Sequence, residues 1–323
     1  MSLQERADAL FEDQKISWPL LGDNWEKLSG ARLKHFDFDG FTIHVQCNPK
    51  RIVSSSAKVD KVSIENRACF LCEENRPPEE KNVWFGEEYE ILCNPFPIFR
   101  EHFTIAKAEH TPQVIESEFG AFLELSRALP DLAVFYNAPN CGASAPDHMH
   151  FQAGNRGFMP IEKELESLKQ KYGVLLLESD KSRVTAVNDG LRRFYVLESA
   201  SRKPLEEMGA FAFRFLRELQ HGEEPMINML SYYDQGWKVL LFPRHMHRPW
   251  QYFEEGEKNI LLSPASVDMG GTLITPLEKD FEKITREDIE DIFSQVSFST
   301  GHFDRMNQDM KNKMKSNEET FGP

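Results

Sequence analysis

Short stretches of alternating hydrophobic and polar residues run through the first half of the chain and predict β-strands. The run FDFDGFTIHVQC (36–47) alternates around an Asp-Gly pair, which is typical of a β-hairpin. Further strand-like runs occupy residues 82–98 and 102–110. Residues 132–154 predict a strand, a loop rich in Gly, Pro and Ser, and a second strand that carries DHMHFQ (147–152).

Apolar residues at helical spacing predict a helix led by Pro112 and stopped by Pro130, and another over 161–173. The second half is expected to contain strands at 174–178, 193–198, 225–232 and 237–243. A helix should begin near Pro204, and Thr285 with Asp288 forms a capping-box-like start to a last helix. The first ~35 residues predict a helical or irregular lead-in.

The two parts of the chain share this mixture of strands and helices. We therefore predict an α+β fold with two pseudo-repeated halves, each built from an antiparallel sheet and packed helices. The N-terminal half is expected to span 1–175 and the C-terminal half 176–300. Residues 301–323 should form a polar tail, which is expected to fray over 307–323.

Composition narrows the class of protein. The 323 residues carry a net charge of −14, which argues against a non-specific nucleic-acid binder. The N-terminus lacks the pattern of a signal peptide, and no apolar run is long enough to span a bilayer, so we expect a cytoplasmic protein. Five cysteines, an odd number, fit metal ligation or buried thiols better than disulfides.

The motif DHMHFQ places polar and apolar side chains on opposite faces of its predicted strand. His148, His150 and Gln152 alternate with Met149 and Phe151. Successive side chains of a strand point to opposite faces. The first three should therefore share one face, while the other two point into a core.

Two further segments contain side chains that could bind a metal ion. Cys69 and Cys72 form a Cys-x-x-Cys pair, which suits a tetrahedral ion, a redox dithiol or two buried thiols. The turn-like EENRPP that follows disfavours the redox hypothesis, and the metal hypothesis needs two ligands from elsewhere. His102 is expected to be a hydrogen-bonded core histidine, whereas a metal ion would hold His110, which precedes a helix start.

The loop before the motif has the composition of a phosphate site. Gly142, Ala143 and Ser144 are small enough for the backbone to approach a ligand closely. Asn137 and Ser144 could donate hydrogen bonds to phosphate oxygens. A histidine placed there can attack phosphorus, and the amide of Gln152 can stabilise the charge that moves onto the oxygens.

The segment NCGASAPDHMHFQ resembles the active-site segment of the histidine-triad (HIT-like) superfamily in its transferase branch, which has Gln in place of the third His. That branch includes galactose-1-phosphate uridylyltransferase, GDP-L-galactose (GDP-hexose) phosphorylase and diadenosine tetraphosphate phosphorylase. VQCNPKRIVSSSAK, CFLC and NPFPIFREHFTIAKAEH are similar to further segments of the branch. LSPASVDMGGTLITPLEKDFEKITREDI is similar to the closing segment of the GDP-hexose phosphorylases.

The resemblance implies a HIT-like fold and a role for each matching residue. His150 would be the nucleophile and Gln152 would stabilise the intermediate. A structural Zn²⁺ ion would be bound by Cys69, Cys72, His110 and His148. The expected substrate contacts are Asn94, Asn137, Gly142, Ala143, Ser144, Arg51 and Lys58.

Two features depart from the pattern. Pro95 follows Asn94 where the uridylyltransferases have an aspartate, which disfavours a preference for uridine. The phosphorylases often lack Cys-x-x-Cys, so the chain mixes two branches. A second His-x-His, His245 and His247, fits a degenerate repeat or a pocket wall better than a second metal site.

The leading hypothesis is a nucleotidyltransferase that acts on a GDP- or UDP-hexose through a nucleotidyl-histidine. Phosphate as acceptor would make it a phosphorylase, and a sugar phosphate would make it a uridylyltransferase-like exchanger. Alternatives are a diadenosine polyphosphate phosphorylase, a nucleotide hydrolase and a non-catalytic zinc-braced binding protein. We expect no nucleic-acid or membrane partner, and a homodimer by analogy with the family.

Overall fold

The structure is a computed structural model that describes residues 1–49 and 60–316. It confirms the α+β class. The helices of ten residues or more are α1 (Leu3–Ser17), α2 (Pro19–Leu28), α4 (Phe119–Ala128), α5 (Ile161–Tyr172), α6 (Arg202–Gln220), α9 (Arg286–Val296) and α10 (Thr300–Ser316). Shorter helices are α3 (Lys61–Glu65), α7 (Ser266–Met269) and α8 (Glu278–Lys283).

Ten of the thirteen strands in the described part of the chain form one continuous antiparallel sheet. In the first half these are β3 (Asn82–Phe85), β4 (Tyr89–Cys93), β5 (His102–Lys107), β6 (Leu132–Asn137) and β7 (His150–Asn155). In the second half they are β8 (Gly173–Glu178), β9 (Ser182–Asn188), β10 (Arg193–Ser199), β11 (Ile227–Tyr233) and β12 (Trp237–Pro243). The predicted antiparallel sheets are thus two portions of one sheet.

The strand order shows that the two halves have the same topology. The sheet reads β3-β4-β5-β7-β6 and then β11-β12-β10-β9-β8, so each half is the reverse of the other. In each half a helix, α4 or α6, connects the third strand to the fourth. The halves join where β6 pairs with β11, over the register from Val134 with Ser231 to Asn137 with Asn228.

Hydrophobic cores cover both faces of the large sheet. Helices α1, α4, α6 and α10 cover one face with residues such as Phe11, Phe122, Leu216 and Phe303. The other face is covered by α5, α7, α8, α9 and a small sheet. That sheet contains the predicted hairpin, β1 (Arg32–Asp37) and β2 (Thr42–Cys47), and β13 (Thr272–Thr275), which pairs in parallel with β2.

The helix that was predicted to start at Pro112 begins only at Phe119. Tertiary hydrogen bonds hold the segment between them in an irregular conformation. The N–H of Gln113 donates to the carbonyl of Pro146 at 3.2 Å, and the N–H of Ile115 donates to the Glu224 carboxylate at 3.0 Å. The prediction was wrong here because the first bond of such a helix, from the N–H of Ile115 to the carbonyl of Thr111, is replaced. The N–H goes to Glu224, and the carbonyl accepts from the N–H of Met149 at 2.7 Å.

The prediction of a fraying tail is wrong for residues 307–316, which lie in α10 (Thr300–Ser316). Phe303, Met306, Met310 and Met314 are buried in the core on the α6 side of the sheet. These four residues recur at helical spacing, so an apolar stripe is present in a segment of polar composition. Among residues 1–49 and 60–316, no helix combines the length and hydrophobicity needed to cross a bilayer.

Replacing Phe303 with Ala should test whether α10 is an integral part of the fold. Phe303 is fully buried and its ring lies 5.2 Å from that of Tyr195, centroid to centroid. We expect Phe303→Ala to lower the free energy of unfolding by about 3–5 kcal/mol in urea denaturation. Exposed Asp309 on the same helix is the control, since Asp309→Ala should change it by less than about 0.5 kcal/mol. Equal effects would mean that α10 does not contribute to the core.

Candidate active site

The side chains of residues 149–152 divide between the two faces as the alternation predicts, whereas His148 precedes β7 and lies in a cluster with Cys69, Cys72 and His110. Met149 and Phe151 are fully buried in the core beneath α4. His150 and Gln152 point to the opposite face and line a cavity of about 450 Å³. This part of the prediction is confirmed.

His150 is held in one tautomer by the backbone. Its Nδ1 lies 2.8 Å from the carbonyl oxygen of His148, which can only accept, so Nδ1 carries the proton. The lone pair is therefore on Nε2. Burial lowers the pKa of His150 to about 4, because the apolar surroundings disfavour the imidazolium. A neutral imidazole with a free Nε2 is the form that can attack phosphorus.

A buried glutamine, Gln113, fixes the backbone of His150. Its Oε1 accepts a hydrogen bond from the N–H of His150 at 2.8 Å. Its Nε2 donates to the carbonyl of His150 at 2.9 Å and to that of Asn137 at 3.1 Å. One side chain thus connects the ends of the two neighbouring strands β6 and β7. No local pattern in the sequence indicates this role, since the contact depends on the irregular segment before α4.

His102 orients the amide of Gln152. His102 Nδ1 accepts a hydrogen bond from the N–H of Ile98 at 3.2 Å, so its proton lies on Nε2. That Nε2 donates to Oε1 of Gln152 at 3.0 Å. The Nε2 amide group of Gln152 is consequently left for the cavity. His102 is the buried, hydrogen-bonded histidine that was expected, and it also positions a site residue.

Asn137 is oriented in the same manner by the second half of the chain. Its Oδ1 accepts hydrogen bonds from Nδ2 of Asn228 and from the N–H of Ser266, both at 2.8 Å. The buried guanidinium of Arg244 in turn donates to Oδ1 of Asn228 and, at 2.8 Å, to the carbonyl of Pro264. The Nδ2 group of Asn137, for which the described residues supply no acceptor, is thereby left for the cavity.

The loop of small residues requires glycine at position 142. Gly142 has a φ of +98°, and a Cβ atom there would lie 2.6 Å from the Cβ of Ala265. The loop thus contacts the segment from the second half directly. Ala143 and Ser144 line the cavity, and their contact with substrate stays a prediction.

Four metal-ligating side chains come together beside the start of β7. The ligand atoms of Cys69, Cys72, His110 and His148 all lie within 4.8 Å of one another. The Sγ atom of Cys69 is 3.3 Å from Nδ1 of His148, and that of Cys72 is 3.1 Å from Nδ1 of His110. Two sulfur and two nitrogen donors at this spacing fit one tetrahedral metal ion. In the described residues this is the one cluster with such spacing.

Groups around the cluster favour the binding of a cation. Nε2 of His148 donates to the carbonyl of Lys107 at 2.7 Å, which leaves Nδ1 unprotonated for a metal. Burial, followed by the nearby Cys69, raises the pKa of Cys72 to about 11. A bound cation would remove the repulsion between the two thiolates. Arg67 and Asp147 form an ion pair at 2.5 Å that ties the Cys-x-x-Cys segment to the DHMHFQ motif.

Of the remaining predicted substrate contacts, the structure describes Asn94 alone. Asn94 lines the cavity, but its Oδ1 accepts from the N–H of Phe96 at 3.0 Å and its Nδ2 donates to Oγ1 of Thr104 at 3.1 Å. It is therefore partly engaged within the protein. Arg51 and Lys58 lie outside the described residues.

The second His-x-His is not a degenerate copy of the first. His245 and His247 follow the end of β12, whereas His148 and His150 lie at the start of β7. His245 is exposed, and His247 lines the cavity, so the pocket-wall hypothesis is confirmed for His247. The same wall contains Arg248, Ser263, Ala265, Val267 and Asp268. Sequence reasoning missed Arg248 because its approach to the motif depends on the pairing of β6 with β11.

Two family models match the chain, one in each half. Residues 10–155 match a domain of unknown function (DUF4922), and residues 172–317 match the GDPGP1-like, C-terminal domain. A galactose-1-phosphate uridylyltransferase from Halalkalibacterium halodurans is 29% identical over 114 residues. That match covers 30% of this chain and 22% of the relative, so it spans about a fifth of that protein's length.

Solved structures with a similar fold include yeast Ap4A phosphorylase Apa2. The complex of that enzyme with AMP has a TM-score of 0.59 at 18% identity, covering 93% of this chain and 99% of the yeast chain. The complex with Ap4A has a TM-score of 0.52 at 16% identity, covering 88% and 97%. At these identities the likeness establishes the fold. The predicted HIT-like fold is confirmed.

Replacing Gln113 with Leu should test the connection between β6 and β7. The change leaves buried backbone groups of His150 and Asn137 without partners, and each such group costs about 1–3 kcal/mol. We expect Gln113→Leu to lower the free energy of unfolding by about 2–5 kcal/mol in urea denaturation. Gln308→Leu, on the exposed face of α10, is the control and should have little effect. A loss no larger than that of the control would show that Gln113 does not support the site.

Proposed function

We propose that the chain, which has the HIT-like fold, belongs to the transferase branch of that superfamily and is a nucleotidyltransferase acting through a nucleotidyl-histidine. The observation that carries the proposal is the lone pair on Nε2 of buried His150. Its direction is fixed because Nδ1 donates to the carbonyl of His148. The free nitrogen faces the cavity, together with two amide groups that are held by their oxygens.

In the first half-reaction, Nε2 of His150 attacks the α-phosphorus of a nucleoside diphosphate sugar. The N–P bond forms as the bond from phosphorus to the oxygen of the leaving sugar phosphate breaks, and that oxygen takes the electron pair. The Nε2 group of Gln152 and the Nδ2 group of Asn137 donate hydrogen bonds to the non-bridging oxygens as these oxygens gain negative charge. Arg248, the one Arg or Lys side chain among the described residues that line the cavity, contacts the leaving phosphate.

In the second half-reaction, an oxygen of the acceptor attacks the same phosphorus and the N–P bond breaks. The electron pair returns to Nε2 of His150. Inorganic phosphate as acceptor yields a nucleoside diphosphate, so that the enzyme is a phosphorylase. A hexose 1-phosphate yields a new nucleotide sugar. One cavity serves both steps because phosphate and hexose 1-phosphate both attack with a phosphate oxygen.

We favour a nucleotide sugar as donor and phosphate as acceptor. The match of residues 172–317 to the GDPGP1-like, C-terminal domain supports this choice. A diadenosine polyphosphate is the second candidate donor, supported by the fold of the yeast Ap4A phosphorylase over 93% of this chain. Hydrolysis is disfavoured because the amide of Gln152 cannot act as the proton donor that a third histidine could be. A homodimer and a cytoplasmic location stay predictions.

We propose that Cys69, Cys72, His110 and His148 bind a structural Zn²⁺ ion. All four positions of a tetrahedron would be filled by protein, so the ion would brace the site and take no part in the reaction. His148 connects the ion to the reacting histidine. Its ring would bind the ion while its carbonyl orients the ring of His150.

The covalent step can be tested by mass spectrometry. The protein is incubated with GDP-glucose, UDP-glucose or diadenosine tetraphosphate without an acceptor, and its intact mass is read at neutral to alkaline pH. We expect a nucleotidyl adduct that is absent from His150→Ala and present in the control His245→Ala, since His245 is exposed and lies outside the cavity. Phosphate or hexose 1-phosphate should then remove the adduct. An adduct that survives in His150→Ala would refute the assignment of the nucleophile, and no adduct with any donor would favour the binding-protein hypothesis.

The metal site can be tested by measuring metal content. The purified protein should contain about one zinc ion per chain by plasma mass spectrometry, because four protein ligands complete one site. Cys72→Ala should reduce the zinc content to a small fraction of that value. Cys47→Ala is the matched control, as Cys47 lies outside the cluster and its replacement should retain the ion. A zinc content that is unchanged in Cys72→Ala would contradict the proposed ligand set.

A further inference from the structure

The cavity has an apolar end that the proposed chemistry does not use. This end is lined by Trp18, Leu20, Phe70, Leu71 and Leu92. One carboxylate, Glu80, lies among them. An ionisable side chain in an apolar wall is costly unless a partner satisfies it.

The register of the sheet places Glu80 one nucleoside away from the reacting atoms. Gln152 pairs with Thr104, and Thr104 pairs with Leu92. Leu92 pairs with Asn82, which lies two residues after Glu80. Three strand spacings therefore separate Asn82 from Gln152, or roughly 14 Å, and Glu80 precedes Asn82 by two residues. If phosphorus lies at His150, a ribose, a base and the side chain of Glu80 fill a distance of this size.

A second buried glutamine, Gln14 of α1, holds the backbone on both sides of Glu80. Gln14 Nε2 donates to the carbonyl of Glu79 at 2.9 Å, and its Oε1 accepts from the N–H of Lys81 at 2.9 Å. Gln14 is fully buried. Glu80 is therefore fixed in place by the same kind of contact that fixes His150.

The carboxylate of Glu80 has no hydrogen-bond donor among the described residues. The nearest arginine, Arg76, is engaged by Glu90 through two hydrogen bonds at 2.8 and 3.0 Å. Burial raises the pKa of Glu80 to about 7, and Arg76 only partly opposes this. The Glu80 carboxylate thus has a fixed position, little contact with water and no hydrogen-bond donor among the described residues. This is the state expected of a carboxylate that binds a ligand.

We propose that Glu80 selects guanine as the base of the nucleotide. Guanine presents two parallel donors, N1–H and one N–H of its 2-amino group, which match the two oxygens of a carboxylate. Uracil offers a single N–H between two carbonyl oxygens, and adenine offers a lone pair at N1, so both would meet the carboxylate with repulsion. Phe70, an aromatic side chain of the same wall that is 49% exposed, provides a surface for the base to stack on. This inference rests on the proposed function, because it assumes that phosphorus lies at His150.

The test measures base preference by calorimetry. GDP, UDP and ADP are titrated into the full chain carrying His150→Ala, which prevents turnover, with and without Glu80→Gln. The parent should bind GDP most tightly. Glu80→Gln should weaken GDP binding by about 10- to 100-fold and bring the ratio of the UDP and GDP dissociation constants towards one, since an amide cannot accept both hydrogen bonds.

Glu79→Gln is the matched control, because the side chain of Glu79 is exposed and only its backbone contacts Gln14. It should retain the preference for GDP, and circular dichroism should show that both variants are folded. Nucleotide binding with a GDP preference that Glu80→Gln leaves intact, or a parent that prefers UDP or ADP, would overturn the role of Glu80 and leave the proposed function standing. Failure of all three nucleotides to bind would overturn both.

Discussion

The backbone pairing of β6 with β11 is the constraint on which the rest of the site depends. It joins two five-stranded portions into one sheet and brings the end of β6 beside the second half. Asn137, the last residue of β6, lies directly opposite Asn228 and accepts a hydrogen bond from it. The cavity therefore lies at this seam and is lined by both halves, with Asn228 and Ser266 of the second half orienting Asn137 of the first.

Two amide side chains of the site, Gln152 and Asn137, have oxygens that already accept hydrogen bonds from the protein. Gln152 is bound through Oε1 by His102, and Asn137 through Oδ1 by Asn228 and Ser266. An amide that accepts from the protein has its N–H groups left over, and these are the groups a phosphate needs. Orientation is set by buried hydrogen bonds rather than by charge, which explains how a chain with a net charge of −14 can offer an anion a favourable cavity.

Features that depend on nearby residues could be predicted from the sequence. The faces of β7 follow from strict alternation, and the β1–β2 hairpin follows from its Asp-Gly turn. The ligand cluster was predicted from the resemblance, since no local rule brings His110 to Cys72. Gln113, Gln14 and Arg248 were missed because their partners are distant in sequence. The stripe of Phe303 and three methionines in α10 was present in the sequence but obscured by polar composition.

The contact between Gly142 and Ala265 has an evolutionary consequence. A Cβ atom on one side would lie 2.6 Å from a methyl group on the other, so the loop at 142–144 and the segment at 263–266 can only change together. The half without the histidine motif supplies the surface against which this loop is shaped. Selection on the site therefore acts on both halves, because the site depends on Gly142 and Ala265 together.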